Sequence, residues 1–366
     1  MNISTILPWQ VTEFEHWIEA LDGARLSHGW LLQGPPGIGK KGFAEAAAAS
    51  ALCESRAAGQ LACGHCAGCQ LLMAGSHPDL IRIRPALLAL AEGVADDDEA
   101  DEGEAADAGA ASDGKKASRE IKVQQIRTLG DYAGIASTRG GRRVALIYPA
   151  EAMAPVAANA LLKTLEEPTP GLVLLLITAA PHRLLPTIRS RCRRLTLPKP
   201  SRAAALAWLE SQGQRHPDRL DAAGGAPLSV LEQADTAQWA TREGLVDALS
   251  AGVGIDAPTA ARAVESEIKR NDRERQQGKA ATFDLGLAVN WLQCFIHDAI
   301  SQRLAGTVRY HRSTPEKLRA TASIPVERLL EYWRWLDNAA AQSRHPVNTL
   351  LFLEDCLMRY RGLYLN

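Results

Sequence analysis

The sequence predicts an α/β fold built on a parallel sheet, followed by an all-helical region. A glycine-rich stretch, Gly34-Pro35-Pro36-Gly37-Ile38-Gly39-Lys40-Lys41, stands between a short apolar run and an alanine-rich helical segment. Strand, phosphate-type loop and helix in that order make the motif credible. Short apolar runs then alternate with helical patterns over roughly 200 residues, the signature of parallel strands joined by crossover helices. Beyond Pro198-Lys199-Pro200 no convincing strand remains, and apolar residues recur at helical spacing.

In chain order, Gly29–Gln33 reads as the first strand and Lys40–Leu52 as the helix after the loop. Residues 79–84 alternate like a second strand. Residues 121–134 are helical, 143–148 form a strand, and 159–167 form a helix stopped by Pro168. Leu172–Thr178 is a further strand and 182–190 a short helix. Helices follow at 201–210, 285–304, 325–338 and 347–360, with a break at Gly224-Gly225.

A chain of 366 residues exceeds one comfortable core, so two or three domains are expected. Hydrophobic content of 46% with 23% charged residues is ordinary for a soluble globular protein. Residues 1–10 lack a basic region followed by an apolar run, so no secretory signal is expected. The most apolar run, 172–177, is far too short to span a bilayer. These features predict a cytoplasmic protein. The formal charge of −1 hides an asymmetry, because residues 92–113 hold ten acidic groups and no basic one. Without them the charge is +9, a basic body that suits proximity to nucleic acid or nucleotide phosphates. The acidic, Ala/Gly-rich tract 92–114 cannot bury enough apolar surface to order itself and reads as a disordered surface insertion.

Cys53, Cys63, Cys66 and Cys69 lie close together, the last three as C-x2-C-x2-C. In a cytosolic chain such crowding favours a metal over disulfides. Four thiolates make a closed tetrahedral zinc site with a structural role. An iron–sulfur cluster is the rival, but that run needs a fourth cysteine followed by proline just downstream, and the next cysteine is Cys192. Zinc is favoured over iron–sulfur or unmetallated thiols. His65 and His77 read as surface or turn residues, and Cys192, Cys294 and Cys356 as small packed side chains.

The loop departs from a hydrolytic site in two places. A magnesium-dependent NTPase needs Ser or Thr after the loop lysine, because that hydroxyl ligates the metal. Here the position is Lys41, which cannot ligate a cation. A later strand should end in an acidic residue that helps hold magnesium. The strand Val144-Ala145-Leu146-Ile147 ends in Tyr148-Pro149, with Glu151 displaced from the strand end. Two losses together predict that hydrolysis is absent. Lys40 reads equally as a phosphate contact or as a solvated lysine at a helix start.

The phosphate loop, the cysteine module inserted after its helix, Leu161-Leu162-Lys163-Thr164-Leu165-Glu166-Glu167-Pro168 and Ile188-Arg189-Ser190-Arg191-Cys192 together resemble the AAA+ clamp-loader subunits of bacterial DNA polymerase III. The resemblance spans nearly the whole chain, to His345-Pro346-Val347-Asn348-Thr349-Leu350-Leu351, and the broken site resembles a non-motor subunit. It implies three domains: an AAA+ nucleotide-binding fold at 1–198 carrying the zinc module at 53–69, a helical lid at 199–234, and a helical collar that oligomerises at 235–366. It further implies a hetero-pentamer with motor subunits of the gamma/tau type and a delta subunit, a component of the polymerase holoenzyme that loads the sliding clamp on primed DNA, with no membrane partner. Within such a complex the Ser-Arg-Cys arginine, Arg191, projects into the ATP site of an adjacent motor subunit. An arginine suits that task, being permanently charged and forked toward phosphate oxygens. The resemblance also gives Thr178 a sensor position, where it can equally cap the following turn. A second sensor arginine is absent, since Gly225-Ala226-Pro227-Leu228 has leucine there. The expected cofactor is structural zinc, with ATP and magnesium not hydrolysed by this chain, although Gly34, Gly37, Gly39 and Lys40 remain as a degenerate nucleotide loop. The alternatives are a catalytically active AAA+ motor subunit and a zinc-dependent DNA-binding module. The second is weakened by the few basic residues between the cysteines.

Overall fold

The computed structural model describes residues 5–23, 26–93, 118–139, 141–232, 235–276, 283–343 and 345–365. Nearly all of the acidic tract, residues 94–114, falls outside them. The chain divides into two compact units, Met1–Pro200 and Ser201–Asn366.

In the first unit the elements run α1 (Val11–Asp22), β1 (Gly29–Gln33), α2 (Lys40–Leu52), α3 (Ala67–Met73), β2 (Leu80–Ile83), α4 (Ala86–Ala91), α5 (Val123–Gly134), β3 (Arg143–Ile147), α6 (Pro155–Glu166), β4 (Leu172–Thr178), α7 (Pro186–Arg191) and β5 (Arg193–Thr196). The five strands form one sheet in the order β2-β3-β4-β1-β5, and every neighbouring pair is parallel. The inner strands β3 and β4 are buried along their whole length, as a sheet covered on both faces demands. Side-chain alternation divides them between two cores. Trp30, Leu32, Val144, Leu146 and Leu175 pack with α1 and α2, whereas Leu31, Ala145, Ile147, Leu174 and Leu176 pack with α5, α6 and α7.

Four local differences from the sequence expectation have physical causes. β5 was not expected, because Arg193-Arg194-Leu195-Thr196 buries only Leu195 and carries no apolar alternation. A short, charged edge is how sheets avoid pairing with other chains. The helix expected at 159–167 starts earlier, at Pro155, whose fixed φ suits a first helical position. The helix expected at 182–190 is split into a 3-10 turn, Pro181–Arg183, and α7, since Pro186 starts a new helix. α5 starts at Val123 because Ile121 is taken into a bridge with Met153.

The second unit contains α8 (Arg202–Ser211), α9 (Pro217–Ala222), α10 (Pro227–Glu232), α11 (Thr236–Ser250), α12 (Ala257–Gln276), α13 (Leu285–Ala305), α14 (Val326–Gln342) and α15 (Thr349–Gly362), with no strand among its described residues. Ser201 caps α8 by accepting from the Ala204 N–H at 3.2 Å. Ala205, Leu209, Leu220 and Val230 form one small core, and α11 to α15 share a larger one around Phe283, Phe295 and Tyr360. The fully buried Asp298 accepts from the backbone N–H groups of Arg309, Tyr310 and His311 at 2.8–3.0 Å. It also accepts from His311 Nδ1 at 3.0 Å, which ties the loop after α13 back to that helix. Among the described residues no helix is long and apolar enough to cross a membrane.

Candidate functional site

The glycine loop leaves the carboxyl end of β1, beside the ends of β4 and β5, where ligands of parallel sheets bind. Gly39 has φ of 93°, a left-handed conformation that other residues rarely adopt, and a Cβ there would also press on the Leu7 side chain, so glycine is favoured. Gly37 is also left-handed, and a Cβ on Gly34 would meet the Leu197 carbonyl at 2.7 Å. The segment before α1 clasps the loop from outside. Trp9 Nε1 and Gln10 Nε2 both donate to the Ile38 carbonyl, at 3.0 and 2.8 Å.

Lys40 is buried, and its Nζ donates to the Pro35 carbonyl of its own loop at 2.6 Å. Burial lowers its pKa to about 8, with Glu151 acting in the opposite direction. One Glu151 oxygen accepts from the Ala179 N–H at 3.1 Å. Thr178 Oγ1 accepts from the Ala180 N–H at 3.0 Å, so it caps the turn after β4.

Lys41 and Tyr148, the two positions where metal ligands are missing, meet around a third residue. Lys41 Nζ lies 2.7 Å from Glu92 Oε1 and 5.4 Å from the centre of the Tyr148 ring. Tyr148 Oη donates to Glu92 Oε2 at 3.0 Å, and Arg84 Nε lies 3.1 Å from the same oxygen. Glu45, whose pKa burial raises, lies 4.0 Å from Lys41 and 3.8 Å from Arg82. Magnesium wants about six oxygen ligands in near-octahedral array. This corner instead presents an ammonium, two guanidinium groups and a phenol hydroxyl that already donates, and its two carboxylates, Glu45 and Glu92, stand beside those cations. Glu92, expected at the start of the disordered tract, is ordered, because it accepts from Lys41 and Tyr148 and pairs with the Arg84 guanidinium.

The four cysteines converge. Cys53 ends α2 and Cys66 caps the start of α3, while the intervening chain carries Cys63. All four Sγ atoms lie within 4.8 Å of one another, with Cys53–Cys66 at 3.8 Å and Cys63–Cys69 at 3.9 Å. A tetrahedron with metal–sulfur bonds of about 2.3 Å has edges of roughly 3.8 Å, so the donor set fits a metal such as zinc. The N–H groups of Cys63, Cys66 and Cys69 each point at the preceding ligand sulfur, at 3.3–3.4 Å. Burial opposes ionisation of Cys66, but the Cys69 N–H and its other donors outweigh it and set the pKa at about 6. Cys53 and Cys69 are pushed up, chiefly by burial. Cys66 is thus poised to ionise, whereas Cys53 and Cys69 are held toward the thiol form and a bound cation would favour their thiolates. His65 is exposed and His77 is a buried turn residue whose Nδ1 accepts from the Asp79 N–H, and neither joins the cluster.

Arg191 ends α7, away from the loop. Its Nη1 donates to the Thr187 carbonyl at 3.1 Å, and its Nη2 pairs with Glu166 Oε1 at 2.7 Å. Neighbouring Arg193 lies over the Trp30 ring, 4.8 Å from its centre. Cys192 is buried, as are Cys294 and Cys356, in keeping with small packed side chains.

A family model described as DNA polymerase III, delta subunit, matches residues 9–201. The chain belongs to that family. Among curated proteins it is similar to DNA polymerase III subunit delta' of Pseudomonas aeruginosa, 39% identical over 233 residues, which are 62% of this chain and 61% of that protein. It is 33% identical to the Escherichia coli subunit delta' over 250 residues, 67% of this chain and 66% of that protein. It is also 32% identical to a DNA polymerase III subunit gamma/tau of Mycobacterium bovis over 278 residues, 68% of this chain and 42% of that protein. The matched stretch thus spans just under two thirds of the length of the delta' relatives.

For a member of this family, three features of the site escaped the sequence reading. Glu92 stands 51 residues from Lys41 in a tract whose composition looks solvated. Arg84 looked like the end of a strand. Trp9 and Gln10 precede any recognisable motif, and their spacing carries no signal that they would grip Ile38.

Proposed function

We propose that the chain is the delta prime subunit of a DNA polymerase III clamp loader. It assists ATP-dependent loading of a sliding clamp on primed DNA and does not itself hydrolyse ATP. The observation that carries this is the pair Lys41 and Tyr148, which stand where a metal-ligating hydroxyl and carboxylate are needed, with the one carboxylate between them, Glu92, already paired with Lys41 and Arg84 and accepting from Tyr148. The chemistry then lies with a neighbour. Arg191, exposed at the end of α7, acts as an arginine finger in trans on a gamma/tau-type motor subunit, stabilising charge on the transferring phosphoryl group. The phosphate loop with Gly34, Gly37, Gly39 and Lys40 persists as scaffold.

The remaining assignments follow the same proposal. Residues 1–198 are the AAA+ domain, 199–234 the lid and 235–366 the collar. The separate small core of α8 to α10 supports that division. Leu351 and Met358, exposed seven residues apart on α15, support a collar surface that meets other subunits. The partners are gamma/tau-type and delta subunits in a hetero-pentamer in the cytoplasm. Cys53, Cys63, Cys66 and Cys69 would hold zinc, which closes the module between α2 and α3 and takes no part in hydrolysis.

The test is reconstitution with motor subunits, a delta subunit and the clamp. Arg191→Ala should cut DNA-stimulated ATP hydrolysis at the site it faces by about tenfold or more, while the variant chain melts within a few degrees of the parent. A fully active variant complex removes the finger role. Appreciable ATP turnover by the purified chain alone would instead favour the competent-motor alternative.

A further inference from the structure

Resting on the assignment of Arg191 to a neighbour's ATP site, we propose that Glu166 is a positioning residue that parks the Arg191 guanidinium on its own subunit until a neighbouring nucleotide draws it away. Glu166 is the last residue of α6 and Arg191 the last of α7. Both terminal nitrogens of the arginine are engaged within the chain, Nη2 by Glu166 at 2.7 Å and Nη1 by the Thr187 carbonyl at 3.1 Å. A finger that reaches across a subunit boundary must give up the first of these bonds.

The frame beneath the pair is fixed. Ile188 and Cys192 anchor α7 on either side of the arginine, and Leu165 anchors α6 beside the glutamate. The Leu165 carbonyl is held by His28 Nε2 at 3.0 Å. At the start of β1, a Cβ on Gly29 would lie 3.1 Å from Leu165 Cδ2, 3.4 Å from Cys192 Sγ and 3.5 Å from the Arg191 carbonyl. The three elements therefore approach one another closely, and with their anchors buried the freedom to move lies chiefly in the exposed finger side chain.

The side chains themselves are open to exchange, with Arg191 36% and Glu166 49% exposed. An exposed pair of this kind biases a side chain by about two- to fivefold. Terminal phosphates carry more charge and present several acceptors to the guanidinium fork, so they outcompete one carboxylate. Glu166 thus sets a threshold: the arginine leaves it for a charged polyphosphate and otherwise stays home. It touches neither substrate nor metal.

The experiment uses the reconstituted complex and compares Glu166→Gln, Glu166→Asp, Arg191→Ala and the Glu166→Gln/Arg191→Ala pair. Glu166→Gln should raise ATP hydrolysis in the absence of clamp and DNA by about two- to fivefold and lower the ATP concentration giving half-maximal rate. Glu166→Asp, which keeps the charge, should fall closer to the parent, and the double variant should show no rise. A Glu166→Gln complex with unchanged or reduced basal hydrolysis overturns the parking role while leaving the finger intact if Arg191→Ala is still impaired. An unimpaired Arg191→Ala complex removes both. Thermal denaturation of each variant chain separates these outcomes from misfolding.

Discussion

Replacing Glu92 with glutamine tests whether the metal corner is a built network. The carboxylate neutralises Lys41 and Arg84 and accepts from Tyr148. The Lys41 side chain is 43% exposed, so its share is small, ~0.5 kcal/mol. Arg84 is different, because its side chain is only 7% exposed and Glu92 is its counter-charge. Stripping the partner from a fully buried charge costs about 3–5 kcal/mol, and residual solvent at Glu92 brings this nearer ~2 kcal/mol. Glutamine can still accept from Tyr148, so that bond survives. The expected loss is about 2–3 kcal/mol, which for a unit of this size lowers the melting temperature by roughly 5–10 °C. Urea denaturation of the full chain, followed by circular dichroism, measures it. Lys41→Ala should cost under ~1 kcal/mol, and a double-mutant cycle should show the two coupled. A Glu92→Gln variant within ~0.5 kcal/mol of the parent would refute the network and return residue 92 to the solvated tract.

Two further outcomes are expected. Metal analysis should find one zinc per chain, lost in Cys66→Ser together with the ordered segment between α2 and α3; iron with visible absorbance, or chelation without effect on hydrogen exchange there, would count against zinc. Asp298→Ala should cost about 3–5 kcal/mol, read by urea denaturation, since it strands His311 and three backbone N–H groups. Burial pushes the Asp298 pKa up, but the bonds from His311 and the backbone outweigh it and hold the value below the usual carboxylate range. A depressed folded pKa means that this stability is present above the unfolded value and is lost as pH falls through the folded one. The variant should therefore lose less stability than the parent on acidification below about pH 4, and an identical pH profile would refute the ionised state of Asp298.

Much of this was legible because the relevant signals are local. β1, α2 and β4 have the expected bounds, since an apolar run ending in a glycine loop fixes the start of one and the end of another. The cysteine module was legible from spacing alone, because metal ligands must be close in space and three of the four are close in sequence. What stayed hidden was set by tertiary contact. β5 exists because β1 offers it a partner, and its own residues are mostly exposed. Glu92 gains its order from Arg84, Lys41 and Tyr148, which come from just past one strand, a helix and just past another strand. No composition window can register such a meeting.

The same contacts bear on why a loop that does not support hydrolysis should persist. β1 runs about 16 Å over its five residues. Its carboxyl end feeds the glycine loop, which Trp9 and Gln10 clasp through Ile38. Its amino end is Gly29, which lies close to Leu165, Cys192 and the Arg191 carbonyl. One short strand therefore positions both the loop and the base of the proposed finger. Loosening the loop would free the carboxyl end of β1 and, through a rigid strand, the seat of Arg191. On the proposed function, the loop is kept because it anchors the strand against which the base of Arg191, the finger offered to the neighbour, is seated.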